Sequence, residues 1–316
     1  MNTLYIVVPC YNEEEVLRET AKRLADKLKT LAGAGKIADN SKIVFVDDGS
    51  RDGTWAIIEQ LFEQDRVFAG VKLSRNRGHQ NALLAGLMAV KGEADIVISI
   101  DADLQDDIDA IDRMVDEYSV GCHIVYGVRG NRESDSFFKR ATAQGYYRLL
   151  RSFGCDIVFN HADYRLISSR ALEALSEYGE QRLFLRGIVP MLGYKTSVVQ
   201  YKRSPREAGE SKYPLKRMLT LAIDGLLSLS LRPLRMVALA GALMLVIAAA
   251  LLVYSIVSIC MGQPFFDWNI VLFSIWAVGG VMTLSIGIVG EYAGRTYFET
   301  KRRPRYNIEK ELGINK

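Results

Sequence analysis

With 316 residues, the chain has room for one large domain or two ordinary ones. Its 40 basic residues nearly balance 37 acidic ones, and a net charge of +3 excludes the strongly basic footprint of a nucleic-acid binder. Four cysteines (Cys10, Cys122, Cys155 and Cys260) show no CxxC spacing, and His79, His123 and His161 are dispersed, so neither a disulfide framework nor a zinc site is expected.

The apolar run "TLYIVVP" predicts a buried strand, followed by a helix from about Glu13 to Leu31. "GAGKIA" at Gly33–Ala38 resembles a dinucleotide fingerprint but lies after a helix and before a strand, the reverse of what that motif requires, and reads as a flexible loop. "SKIVFVDD" is a second strand. "GSRDGT" turns into a helix starting near Trp55, with Asp52 or Thr54 as its cap. "RVFAGVKL", "GHQNALLAGLMAV" and "ADIVISID" then read as strand, helix and strand, and a helix at Ile108–Tyr118 precedes the strand "HIVYGV". Apolar strands alternating with helices predict a mostly parallel sheet covered on both faces. Such sheets bind ligands beyond the carboxyl ends of their strands, where "PCYNEEE", "VDDGSRDGT", "LSRNRGHQ" and "IDADLQDD" fall.

Asp101 and Asp103 flank one small residue where the fourth strand should end. In an extended segment, alternation turns both carboxylates to one side, where they repel unless a cation lies between them. Oxygen ligands without nearby His or Cys favour Mg²⁺ or Mn²⁺, completed by water and substrate phosphates. Asp106 and Asp107 read instead as caps of the next helix.

Near Pro214 the composition changes. Met236–Phe266 and Trp268–Gly290 carry no charge, and each exceeds the roughly 20 residues of a membrane-spanning helix. They predict a two-helix transmembrane hairpin with spans at about 236–260 and 269–291. Arg232 and Arg235 precede it, and Arg295, Lys301, Arg302, Arg303 and Arg305 follow the second uncharged run, whereas the connecting "MGQPFFDW" has neither Lys nor Arg. The positive-inside rule then puts both termini in the cytoplasm. "MNTLYIVVPC" lacks the basic start of a signal peptide, so the first 200 or so residues are expected to stay there too. The expected division is a catalytic domain at 1–213, an amphipathic juxtamembrane helix at 214–233, the spans within 234–295, and a basic tail at 296–316.

The ordered motifs "VVPCYNEEE", "VFVDDGSRDGT", "SRNRGHQNALLAGL", "ISIDADLQDD", "VYGVRGNRES" and "ADYRLIS" extend over about Thr3–Ser168. Together they resemble the family 2 glycosyltransferases with a GT-A (Rossmann-like) fold. Within these, the chain is similar to the polyprenyl-phosphate and dolichyl-phosphate glycosyltransferases, and the hairpin matches the bacterial members. The resemblance implies that Pro9, Tyr11 and Glu13 line a nucleotide pocket and that Val46 and Asp48 hold base and ribose. Asp101, Ala102, Asp103 and Gln105 would form the diphosphate site, with Asp101, Asp103 and Gln105 holding Mg²⁺ or Mn²⁺. Arg129, Arg140, Arg206 and Lys212 match phosphate contacts, and Asp163 matches a position assigned a catalytic role. His79 and Gln80 depart from the residues found in many relatives, which leaves that loop's contribution open.

The implied reaction transfers a sugar, with inversion, from a nucleotide sugar (UDP-glucose first) to polyprenyl phosphate at the bacterial inner membrane. The departing diphosphate gathers negative charge that a cation held by Asp103 would offset. A phosphate monoester is largely dianionic at neutral pH and needs no strong base, so Asp163 reads as an orienting group. Mannose, N-acetylhexosamine or aminoarabinose transfer, a processive polysaccharide synthase and a non-catalytic membrane scaffold are the alternatives. Gly279, Gly280, Gly287 and Gly290 would allow close span packing in a homo-oligomer, and a flippase is the candidate downstream partner.

Overall fold

The computed structural model describes residues 1–130, 161–180, 185–201, 261 and 268–314. The chain divides into two units, Met1–Thr220 with Pro304–Lys316, and Leu221–Arg303.

The first unit is built on an eight-stranded sheet. In chain order its elements are β1 (Leu4–Cys10), α1 (Leu17–Gly33), β2 (Lys42–Asp47), α2 (Thr54–Gln64), β3 (Phe68–Leu73), α3 (His79–Ala89) and β4 (Ile96–Ser99). These are followed by α4 (Ala110–Ser119), β5 (Ile124–Arg129), β6 (His161–Ser168), α5 (Ser169–Ser176), α6 (Leu185–Met191), β7 (Thr196–Tyr201) and β8 (Ile308–Leu312). The strand order is β7-β5-β6-β4-β1-β2-β3-β8. Strands β4, β1, β2 and β3 run parallel, as expected from their apolar runs. Strand β6 enters antiparallel between β4 and β5, and β8 antiparallel beside β3.

Alternation along β1 sends Leu4, Ile6 and Val8 into the core under α1, α2 and α4, and Tyr5 and Val7 into the core under α3, α5 and α6. Each such fully buried aliphatic side chain contributes about 1.5–3 kcal/mol. Pro9 falls in a central strand yet breaks no ladder, because β4 pairs only as far as Val7↔Ser99. Helix α3 lies close on the sheet at Gly86, where an added Cβ would stand 2.5 Å from both Val7 Cγ1 and Val46 Cγ2. Gly86→Ala is therefore expected to destabilise the unit by about 1–3 kcal/mol, read as a lower thermal midpoint with unchanged secondary structure.

Several sequence readings shift. Helix α1 begins at Leu17 rather than Glu13. "GAGKIA" is a tight helix exit, with Gly35 at φ 69 and backbone bonds from Gly35 N to Ala32 O and from Lys36 N to Leu31 O. Residues 308–312, read as part of a basic tail, form β8, held by Lys72–Glu309 (3.0 Å), Lys310–Glu59 (2.6 Å) and Lys42 Nζ donating to Gly313 O (2.7 Å). In the second unit, helix α7 spans Trp268–Lys301. Among the described residues it is the one helix long and apolar enough to cross a membrane, and Ile275, Met282, Leu284 and Ile286 on it are exposed. The first expected span lies outside the described residues.

Candidate active site

The carboxyl ends of β1, β2 and β4 meet in interlocked loops. Asn12, at φ 53, donates its N–H to Ser50 Oγ (3.0 Å), and its Oδ1 accepts from Arg51 N (2.9 Å). Thr54 Oγ1 accepts from Glu13 N (3.0 Å) and itself donates to Asp52 Oδ1 (2.6 Å). Asp52 thus braces the start of α2, while Thr54 is the first residue of that helix and ties it to β1. Tyr11 and Glu13 are half-buried on this rim, whereas Pro9 is buried.

The "DDGS" turn requires its glycine. Gly49 sits at φ +66, and a Cβ there would come within 2.6 Å of Arg75 C and Asn76 N. That close approach lets Asp48 accept from Arg77 N (2.7 Å) and Gly78 N (2.9 Å), fixing the loop that leads into α3. Burial raises the Asp48 carboxyl above its ordinary range against those two hydrogen bonds. Val46, expected at the nucleotide, has no exposure and packs beneath Gly86, so its side chain belongs to the core.

Strand β4 stops at Ser99, and the following residues turn rather than extend. Leu104 has φ 56, and Asp103 Oδ1 accepts from Gln105 N (3.2 Å). The two carboxylates are therefore placed by a turn and not by strand alternation. Ala102 anchors it, being buried and accepting at its carbonyl from Thr20 Oγ1 of α1 (2.9 Å). Asp106 does not cap α4 as read from sequence. It is buried and accepts from Tyr201 Oη (2.5 Å), while Asp107 Oδ1 accepts from Asp109 N (3.0 Å) at the helix entrance.

Beside this turn stands a cluster centred on Asp163, which is 5% exposed. Its Oδ1 accepts from Arg165 Nη2 (2.5 Å) and lies 3.4 Å from Arg186 Nε. Its Oδ2 accepts from Gln80 Nε2 (3.0 Å) and Arg186 Nη2 (3.1 Å), with His79 Nε2 at 3.4 Å. A carboxylate offers about four lone-pair positions, so Asp163 has little accepting capacity left. Burial alone would raise its pKa, but Arg186, His79 and Arg165 outweigh it and hold the carboxyl well below the usual range. His79 Nε2 is also 3.7 Å from Asp101 Oδ1. Burial disfavours its charge, yet Asp163 and Asp101 raise its pKa to about 9.

The structure thus brings Asp101 and Asp163 to opposite sides of His79. Arg165, Arg186, Gln80 and the Asp106–Tyr201 pair were not found from sequence. One signal was available: Asp163 and Arg165 are two apart in a strand, hence on one face. Arg129 ends β5, paired with Tyr201 at the end of β7. Arg140, Arg206 and Lys212 lie outside the described residues.

The donor set suits a divalent cation shared with a substrate. Among the described residues, no group of three His, Cys, Asp or Glu side chains converges as a complete metal cage. Asp101 and Asp103 instead offer two partly exposed carboxylates, the number Mg²⁺ or Mn²⁺ takes when phosphate oxygens and water fill the remaining positions.

A model of the family described as "Glycosyl transferase family 2" matches residues 5–176, more than half of the chain. The chain belongs to glycosyl transferase family 2. As a glycosyltransferase of this family, it is 48% identical over 309 residues to the uncharacterized glycosyltransferase YkoT of Bacillus subtilis (strain 168), covering 98% of this chain and 92% of that protein. It is 37% identical over 311 residues to the bactoprenol glucosyl transferase of Shigella phage SfX, covering 96% and 98% of the two chains. Among solved structures, it is similar to glucosyl-3-phosphoglycerate synthase from Mycobacterium tuberculosis in complex with Mn²⁺, UDP and phosphoglyceric acid, with TM-score 0.45 and 18% identity over 72% of this chain and 78% of that one. The mixed α/β sheet with helices on both faces is the GT-A-like fold expected of the family.

Proposed function

We propose that the enzyme transfers a sugar, glucose first, from a nucleotide diphosphate sugar to polyprenyl phosphate at the cytoplasmic face of the bacterial inner membrane, inverting the anomeric centre. One observation carries this reading. A pair of rim carboxylates suited to a cation, Asp101 and Asp103, lies beside a basic cluster suited to an anion, Arg186 and His79, with His79 Nε2 3.7 Å from Asp101 Oδ1. A reaction that brings a diphosphate and a phosphate together needs both. The relatives named bactoprenol glucosyl transferase, matched over nearly the whole chain, support the acceptor and the sugar.

Asp101, Asp103 and Gln105 would hold Mg²⁺ or Mn²⁺, which when bound supplies Lewis-acid stabilisation of the leaving diphosphate. Pro9, Tyr11, Glu13 and Asp48 would form the nucleotide side, with Val46 supporting it from the core. Arg129, Arg140, Arg206 and Lys212 would neutralise phosphate charge, and guanidinium groups suit that role by bidentate geometry. Asp163, already filled by donors, orients Arg186 and His79 and is not the proton acceptor. The exposed apolar residues of α7 would hold the enzyme beside an acceptor confined to the bilayer, replacing a three-dimensional search by high local concentration.

The test is transfer by the purified full chain in detergent, with UDP-glucose and undecaprenyl phosphate as substrates and mass detection of the product. Product is expected with Mg²⁺ or Mn²⁺, is abolished by EDTA, and returns on readdition of the ion. Transfer that is unaffected by EDTA contradicts the metal assignment, and no product with any nucleotide sugar contradicts the acceptor assignment.

A further inference from the structure

Two arginines hold Asp163, but they differ in what they can do. Arg165 is 1% exposed, with Nη1 donating to Leu185 O (3.3 Å) and Nη2 to Asp163. The Arg186 side chain is 38% exposed while gripping the same carboxylate. Of the two, only Arg186 can also touch a substrate. Its position follows from its neighbour, because both backbone polar groups of Leu185 are held by site residues. The Leu185 carbonyl accepts from Arg165, and the Leu185 N–H donates to Gln80 Oε1 (3.2 Å). The other end of the same Gln80 amide donates to Asp163 Oδ2 (3.0 Å). Gln80 therefore spans the start of α3, strand β6 and the first residue of α6, using its donor and its acceptor at once.

We infer that Gln80 is a positioning residue for the acceptor phosphate: it seats Arg186, the guanidinium that meets that phosphate, against Asp163. The inference rests on the proposed phosphate acceptor. A neutral amide is the side chain this place requires. One neighbour is a carboxylate that needs a donor and the other is an N–H that needs an acceptor. Gln80→Leu keeps the approximate volume and loses both bonds. Gln80→Glu keeps the bond from Leu185 N–H and sets a carboxylate against Asp163. Either change leaves Arg165 on Asp163 but frees α6 to shift, and Arg186 moves with it. Asp101 and Asp103 are placed by α1 and their own turn, so the donor side is untouched.

The experiment measures steady-state rates of the full-length enzyme with undecaprenyl phosphate and UDP-glucose varied in turn, for wild type, Gln80→Leu, Gln80→Glu, Arg186→Ala and the Gln80→Leu/Arg186→Ala double variant. Expected is a loss in kcat/KM for the acceptor of about tenfold to a hundredfold in each Gln80 variant, the scale of a hydrogen bond to a charged group, with KM for the donor within about twofold of wild type. In the Arg186→Ala background, Gln80→Leu should change acceptor use by less than about twofold, because residues acting through one another are not additive. Multiplicative losses in the double variant, an equal loss on the donor side, or wild-type acceptor use in both Gln80 variants would each overturn the assignment. If Gln80→Leu fails to fold, Gln80→Glu carries the donor–acceptor comparison. A wild-type enzyme that uses UDP-glucose but ignores polyprenyl phosphate overturns the underlying acceptor reading instead, and that arm is read before any variant.

Discussion

Replacing Asp101 and Asp103 together with alanine is expected to lower transfer by about 10³-fold or more while leaving the fold intact. The size follows from where charge develops. The leaving diphosphate gains negative charge as the sugar departs, and these two carboxylates hold the group that offsets it. The fold should survive because both residues are partly exposed and neither belongs to the buried core. What anchors the turn is elsewhere, in Thr20 Oγ1 donating to Ala102 O and Tyr201 Oη donating to Asp106. Only the short contact from Gln105 N to Asp103 Oδ1 is lost. Initial rates at saturating Mg²⁺ or Mn²⁺, beside thermal melts of both proteins, separate the two effects. Full turnover by the double variant would remove the foundation of the proposed mechanism.

Asp163→Asn is expected to cost both stability and activity. The neutral amide leaves the Arg165 guanidinium, 1% exposed, without its anion, and breaking a buried pair in this way costs about 3–5 kcal/mol. The corresponding fall in thermal midpoint is on the order of 10 °C. Burial already lowers the pKa of Arg165, chiefly opposed by Asp163, so the loss of that partner falls on a group under strain from desolvation. The pH dependence has a definite sign. A carboxylate whose folded pKa lies below its unfolded value of 3.8 stabilises the fold above that value. The contribution fades as pH falls through the lowered folded value, so wild type should lose stability there and Asp163→Asn should not. A general base at this position predicts instead a rate loss with an unchanged melting profile.

The four parallel strands were legible because β1, β2, β3 and β4 are short apolar runs bounded by turn residues, the pattern of strands buried on both faces. Strand β6 was not, since "HADYRLIS" carries Asp163 and Arg165, and a charged side chain inside a strand ordinarily signals solvent. Here the charges are buried because they neutralise each other, a fact set by neighbours distant in sequence. Strand β8 was hidden for the opposite reason. Its Glu309 and Lys310 are solvent-facing residues of an edge strand, and their charges read as a tail. Within the site, the family motifs pointed to Asp101, Asp103 and Asp163, but no spacing announces that Gln80, His79 and Arg186 converge on one carboxylate. Their meeting depends on α3 and α6 packing over the same end of the sheet. Val46 failed as a ligand contact because a motif position does not say which way a strand residue faces.

Strand β8 also imposes an order of events on biosynthesis. The residues that cover the outer edge of β3 are translated only after the long apolar helix α7, so a nascent chain emerges with the rest of its sheet available and that border unpaired. Unpaired borders invite association with other chains, and the hazard persists until residues 308–312 leave the ribosome and dock. Completion of the catalytic unit is thereby deferred until after the apolar helix has been made.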